Sequence, residues 1–105
     1  MTPTETAELA RLVDDVRARE GEPEPWITRA ACLGIDPDLF FPERGNSTRE
    51  AKAVCAGCPV RLDCLVYALA WSEKFGIWGG HSERERRRIR RTLTLARHAR
   101  KVAAA

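Results

Sequence analysis

Cys55-Ala56-Gly57-Cys58-Pro59-Val60-Arg61-Leu62-Asp63-Cys64 holds three of the chain's four cysteines within ten residues, and Cys32 upstream completes the set. The spacing is Cys32, twenty-two residues, Cys55, two residues, Cys58, five residues, Cys64. Four thiolates converging on one centre suit an iron–sulfur cluster or a structural zinc ion. The local grammar favours convergence, because Gly57 can end one helix and Pro59 can begin the next. The spacing therefore predicts Cys55 in a last helical turn, Cys58 in the corner and Cys64 in the second turn of the following helix.

Working outward, a chain of 105 residues is expected to form one small domain, and a domain of that size buries a smaller share of its surface than a larger one. An internal staple is expected, and a metal centre would supply it. The start Met1-Thr2-Pro3-Thr4-Glu5-Thr6 lacks the charged and apolar runs of a leader, and no stretch approaches the roughly 20 apolar residues that span a bilayer. The expectation is a cytoplasmic protein with no membrane segment. In that reducing compartment the cysteines read as metal ligands or redox thiols, although an even number would also suit two disulfides in a secreted protein.

The net charge of +3 conceals an asymmetry: residues 1–25 hold three basic and seven acidic side chains, residues 26–80 six of each, and residues 81–105 nine basic and two acidic. The expected organisation is an acidic N-terminal arm and linker over 1–25, a site-bearing core over 26–80 and a basic C-terminal helix over 81–105. A basic tail is an electrostatic footprint for nucleic acid.

In the arm, Thr2-Pro3-Thr4-Glu5 predicts a helix start with Thr2 as N-cap, Pro3 at the first helical position and Glu5 closing a capping box. The helix is expected to reach about Arg19, with Leu9, Leu12, Val13 and Val16 as a narrow apolar stripe. Gly21-Glu22-Pro23-Glu24-Pro25 then breaks the pattern. From Trp26 a short helix should deliver Cys32, with Gly34 available to end it. In Asp36-Pro37-Asp38-Leu39-Phe40-Phe41-Pro42 the flanking prolines discourage a helix, so the adjacent Phe40 and Phe41 are expected in an extended or turn-like segment. Local pattern slightly favours burial of both. An exposed pair would mark a partner surface.

A polar loop containing Gly45 and Asn46 leads to Ser47-Thr48-Arg49-Glu50, a second capping-box pattern opening a helix to about Ala56. Beyond the Gly57–Pro59 corner, Val60, Leu62, Leu65, Val66 and Leu69 predict a longer helix ending near Lys74, with Tyr67 and Trp71 as an i, i+4 aromatic pair. Gly76-Ile77-Trp78-Gly79-Gly80 reads as a tight turn, with Gly76, Gly79 and Gly80 permitting positive φ and close backbone approach. Trp78 could plug the core or anchor another protein, and local physics favours the plug. Ser82-Glu83-Arg84-Glu85 is a third capping box, opening a helix to His98 or beyond with Ile89, Leu93 and Ala96 on its apolar face. The expected phosphate contacts are Arg86, Arg87, Arg90, Arg91, Arg97, Arg100 and Lys101, since a mixed-sign face would serve solubility better. No base-reading motif accompanies them.

Three chemistries compete for the cysteines. Structural zinc commonly uses two close ligand pairs, and only one pair exists here, so the spacing favours a [4Fe-4S] cluster over a zinc-stabilised DNA-binding module. Cys55-Ala56-Gly57-Cys58 could alternatively support thiol–disulfide exchange as a protein disulfide reductase, but the βαβ context of such motifs is missing. A non-enzymatic role is expected.

The chain resembles the WhiB-like family of actinobacterial and phage transcription factors. The resemblance rests on Trp26 before Cys32, Leu39-Phe40-Phe41-Pro42, the Cys55, Cys58-Pro59-Val60 and Cys64 set, Ala68-Leu69, Gly76-Ile77-Trp78-Gly79-Gly80 and Ser82-Glu83-Arg84-Glu85-Arg86. It implies an all-α domain of about four to five helices wrapped around an oxygen- and nitric-oxide-sensitive [4Fe-4S] cluster, with Cys32, Cys55, Cys58 and Cys64 as ligands. It also implies binding to the C-terminal domain of the principal sigma factor within RNA polymerase, through Trp26, Phe40, Phe41 and Trp78, at promoter DNA. The protein would be a monomer before that complex forms, and a second transcription factor on the DNA would be compatible with it. The tail lacks the Arg-Gly-Arg sequence of some members.

Overall fold

A computed structural model describes residues 1–19, 25–43 and 47–104; most of the predicted linker, and Gly45 and Asn46 of the polar loop, lie outside them. The described residues are all-α: α1 (Pro3–Ala18), α2 (Arg49–Ala56), α3 (Arg61–Ala70) and α4 (Glu83–Ala104), with 3₁₀ turns at Pro25–Arg29 and Pro37–Phe40.

α1 starts as its sequence predicts. The Thr2 hydroxyl accepts from the Glu5 N–H at 3.1 Å and donates to the Glu5 carboxylate at the same distance. Such caps contribute about 1 kcal/mol. The buried stripe is Leu9, Ala10, Val13 and Val16, while Leu12 turns outward. These residues form one core with Leu65, Val66, Leu69 and Ala70 of α3 and Leu93 of α4, so the acidic head is part of the main helical packing. Arg17 reinforces the contact by donating through Nε to the Ala70 carbonyl at 3.0 Å, which satisfies an acceptor left open at the end of α3.

Of its two expected forms, Asp36–Phe41 takes the turn-like one: the Asp36 carboxylate accepts from the Asp38 N–H at 3.0 Å, and Pro37 sits at the first position of a single 3₁₀ turn. One such turn fits before Pro42 can interrupt it. One expectation in the middle of the chain changes. α3 stops at Ala70 rather than near Lys74, because Ser72 adopts φ +52° and the Glu73 N–H bonds back to the Ala68 carbonyl at 3.0 Å. This is a Schellman closure with serine in the left-handed position.

Between α2 and α3 the chain bends by 119° around Gly57 and Pro59. No single helix among the described residues is long and apolar enough to cross a membrane. A second, smaller apolar cluster of Phe40, Ala51, Cys55 and Ile77 fills the angle between α2 and the Pro37–Phe40 turn. Cys55 is the cysteine that belongs to it.

Candidate metal centre

Each thiol arrives from a different local context. Cys55 is in the last turn of α2, Cys58 in the corner and Cys64 early in α3, as the spacing predicts. Cys32 lies in turns that follow the Pro25–Arg29 segment, so the short helix that should carry it ends three residues too early. All four are free thiols lining one largely apolar cavity of about 220 Å³. Among the described residues no three Cys, His, Asp or Glu side chains converge closely enough to hold a single metal ion. The thiols stand around a space rather than at a point.

Their protonation chemistry follows from that setting. Burial pushes the Cys64 thiol up to about 12, opposed by a hydrogen bond from the Gly79 amide and reinforced by Cys55, Cys32 and Cys58. Cys55 is raised for the same first reason, opposed by the Gly80 amide and reinforced by Cys58 and Cys32. Four like charges in an apolar cavity are unfavourable unless a cationic centre joins them. The donor set thus fits a positively charged metal cluster, with backbone amides directed at the sulfurs: the Ala31 nitrogen lies 3.4 Å from Cys58 Sγ, and the Gly79 and Gly80 amides oppose the effect of burial at Cys64 and Cys55.

The glycine turn makes those amides available. Gly76, Gly79 and Gly80 all have positive φ. A Cβ on Gly79 would meet the Arg61 carbonyl oxygen and the Leu65 Cβ at 2.7 Å, so the turn lies directly on α3. A Cβ on Gly76 would meet the Phe41 ring at 2.7 Å. Trp78 donates through Nε1 to the Phe75 carbonyl at 2.8 Å, and its backbone pairs with His81.

Trp26, Phe40, Phe41 and Trp78 all line the same cavity as the thiols. They are unequally accessible: Trp26 and Phe40 are buried, Trp78 is half-buried, and Phe41 is 51% exposed. The even division of Phe40 and Phe41 between inside and outside replaces the expectation that both are core. Tyr67 does not pair with Trp71 but stands between the two tryptophans, its ring centroid 5.7 Å from that of Trp26 and 5.8 Å from that of Trp78. Sequence reading missed this role, although Tyr67 lies three residues after Cys64 on the same helical face. It also missed Phe75, exposed at 76% beside the turn.

Residues 26–89 match the family described as Transcription factor WhiB. This chain belongs to the WhiB family. It is 62% identical over 76 residues to the transcriptional regulator WhiB2 of Mycolicibacterium smegmatis, covering 72% of this chain and 59% of that protein. It is 56% identical over 88 residues to WhiB2 of Mycobacterium tuberculosis (78% and 99%), and 59% identical over 80 residues to WhiB of Streptomyces coelicolor (76% and 87%). The chain thus spans under two thirds of the M. smegmatis relative. These WhiB-family relatives are named transcriptional regulators, and the four cysteines are consistent with the binding of a metal cluster.

The WhiB match ends within α4, where the basic residues divide. Arg86 is a correction: it is fully buried, donating to the carbonyls of Gly76 at 2.8 Å, His81 at 2.6 Å and Glu73 at 3.1 Å, and it cannot reach a phosphate. Its position among Ile89 and Leu93 on the inward face of the helix decides this. Arg87 and Arg90 approach Glu83 at 3.0 and 3.7 Å, and Arg97 pairs with Asp14 of α1 at 2.8 Å. Arg91, Arg100 and Lys101 are exposed, with no ion pair among the described residues.

Proposed function

We propose that this chain is a redox- or nitric-oxide-responsive transcriptional regulator that binds the C-terminal domain of the principal sigma factor through a [4Fe-4S]-organised aromatic surface and touches promoter DNA with its basic tail. The carrying observation is that Cys32, Cys55, Cys58 and Cys64 share one cavity wall with Trp26, Phe40, Phe41 and Trp78. The cysteines would hold the cluster, which supplies reactivity towards oxygen and nitric oxide. The spacing of the cysteines, with one close pair rather than two, favours that group over a single zinc ion. Ligation fixes the relative positions of the Cys32 turns, α2 and α3, and with them the aromatic side chains between. Freed thiols can pair as disulfides and release that constraint, so partner affinity would follow the state of the cysteines.

A disulfide reductase is the alternative reading, but Cys55-Ala56-Gly57-Cys58 stands at the corner between two helices, without the βαβ context of such motifs. A cytoplasmic setting is part of the same proposal. The test is anaerobic reconstitution with iron and sulfide, followed by titration with the sigma C-terminal domain. Binding should weaken at least tenfold on cluster loss or in Trp78→Ala, the scale of a tryptophan anchor worth about 2 kcal/mol. Affinity indifferent to both changes would refute the proposal.

A further inference from the structure

Two apolar surfaces among the described residues are left uncovered by the chain itself, and they carry opposite charge. The first is an open groove of about 220 Å³ between α1 and α3. Leu9 and Leu65 form its floor, flanked by the exposed Leu12 and Leu62. Glu5 and Glu8 stand on its α1 side, and Asp15, seven residues after Glu8 and exposed, continues that edge of the helix. Glu8 and Asp15 form no ion pair among the described residues. The second surface is the outer face of α4. Leu95 and Val102 are 64% and 63% exposed, and with the exposed Ala99 between them they follow an i, i+4, i+7 spacing. Arg88 and Arg91 precede Leu95 by seven and four residues on the same face; both are exposed and neither forms an ion pair among the described residues. Leu93, two residues from Leu95 and so about 200° away around the helix, packs into the core with Val13, while Arg97 pairs with Asp14 of α1. The outer face of α4 is thus turned away from the α1–α3 core that carries the groove.

We infer that the two surfaces dock in trans: the outer face of α4 of one copy lies in the α1–α3 groove of a second copy, with its leucine–valine ridge on Leu12 and Leu62 and its arginines against the Glu8 edge. This is a helix laid in an apolar groove with opposite charges across the rim. The two surfaces differ, but each copy carries both, so a twofold pair uses them reciprocally and closes. The pair replaces the single-copy state that the family resemblance implies, and it rests on neither the cofactor nor the sigma reading. Arg91 also belongs to the proposed DNA contact, so pairing hides part of that contact. Sedimentation velocity on the full chain, kept reduced under nitrogen over a concentration series, tests the inference. The mass should rise from one copy to two, and added salt should move the transition to higher concentration because it screens the charged rim. Leu12→Glu in the groove and Leu95→Glu on α4 should each raise the half-pairing concentration on the order of tenfold, while thermal melts stay close to wild type because both side chains are exposed. Glu8→Arg and Arg91→Glu should each weaken pairing several-fold, and an equimolar mixture of the two should recover it, since only the mixed pair matches charge at both contacts. A single copy at every concentration overturns the inference and leaves the groove to another protein. A pair that survives Leu12→Glu but not Leu95→Glu also overturns it, placing two α4 helices against each other, as does a mixture that pairs no better than either variant alone.

Discussion

Ser72 and Gly79 hold the backbone in the left-handed region, at φ +52° and +59°, with opposite consequences for substitution. Ser72 is exposed at the close of α3 and carries a Cβ where its conformation disfavours one. Ser72→Gly is expected to stabilise the fold by about 0.5–1 kcal/mol, seen as a higher midpoint of thermal unfolding. Gly79→Ala should act the other way. Its Cβ would press on the backbone and Cβ of α3 within 2.9 Å, none of which is a flexible side-chain end. With the backbone strain added, a loss of more than about 2 kcal/mol is expected, and with it the amide that faces Cys64. Gly80→Ala should cost less, because its neighbour is the movable end of Arg61. The glycine turn was legible in the sequence from its three glycines. The end of α3 was not, since serine gives no sign that it will take a glycine's conformation.

The start of α4 shows how an element can be set by local chemistry and then tied to the site. The Ser82 N–H donates to the Glu85 carboxylate at 2.8 Å, the Glu85 N–H donates to the Ser82 hydroxyl at 3.2 Å, and Lys52 of α2 reaches Glu85 at 2.9 Å. Burial alone would raise the Glu85 carboxyl, but the Ser82 amide, Lys52 and the Ser82 hydroxyl together bring it down to about 2 from an ordinary 4.5. A carboxylate with a depressed folded-state value stabilises the fold above its unfolded value and loses that contribution as pH falls through the window from about 4.5 to about 2. Glu85→Gln should therefore melt below wild type at neutral pH, and the difference should shrink as pH drops below about 4.5 in thermal melts at stepped pH; a constant difference would assign the effect to packing. Of the three capping boxes, Ser82 with Glu85 forms as written, and Thr2 with Glu5 keeps the cap while the carboxylate takes the Thr2 hydroxyl instead of its N–H. The second does not form, because the Ser47 hydroxyl accepts from the nearer Arg49 N–H at 3.1 Å and Thr48 makes no side-chain cap. Pattern specifies which groups are available, and the entry path of the chain decides which amide they reach.

Across the whole molecule, α4 joins the glycine turn to the proposed DNA contact with residues that sequence alone could not sort. A run of arginines reads as one basic feature until helix rotation is known: Arg86 turns inward to grip the carbonyls around the glycine turn, and Arg97 is anchored on α1 through Asp14. From His98 to Ala104 every residue is exposed, so the end of α4 extends past the helical core. The four cysteines, by contrast, were legible as a set because their chemistry does not depend on rotation; only their common cavity needed the fold. This division predicts two separable phenotypes. Neutralising Arg91, Arg100 and Lys101 together should weaken binding to duplex DNA and flatten the dependence of log affinity on log salt by up to about 2–3 units, since each phosphate contact contributes a slope of roughly 0.9. Helicity and visible absorption of the reconstituted protein should be unchanged. Arg86→Gln should leave the salt slope alone but strip partners from buried carbonyls, each worth about 1–3 kcal/mol, and so lower the unfolding midpoint and loosen the turn that faces Cys55 and Cys64. Fluorescence anisotropy over a salt series, run beside thermal melts of the same variants, distinguishes them; a flattened slope in Arg86→Gln would return that residue to the DNA-facing set.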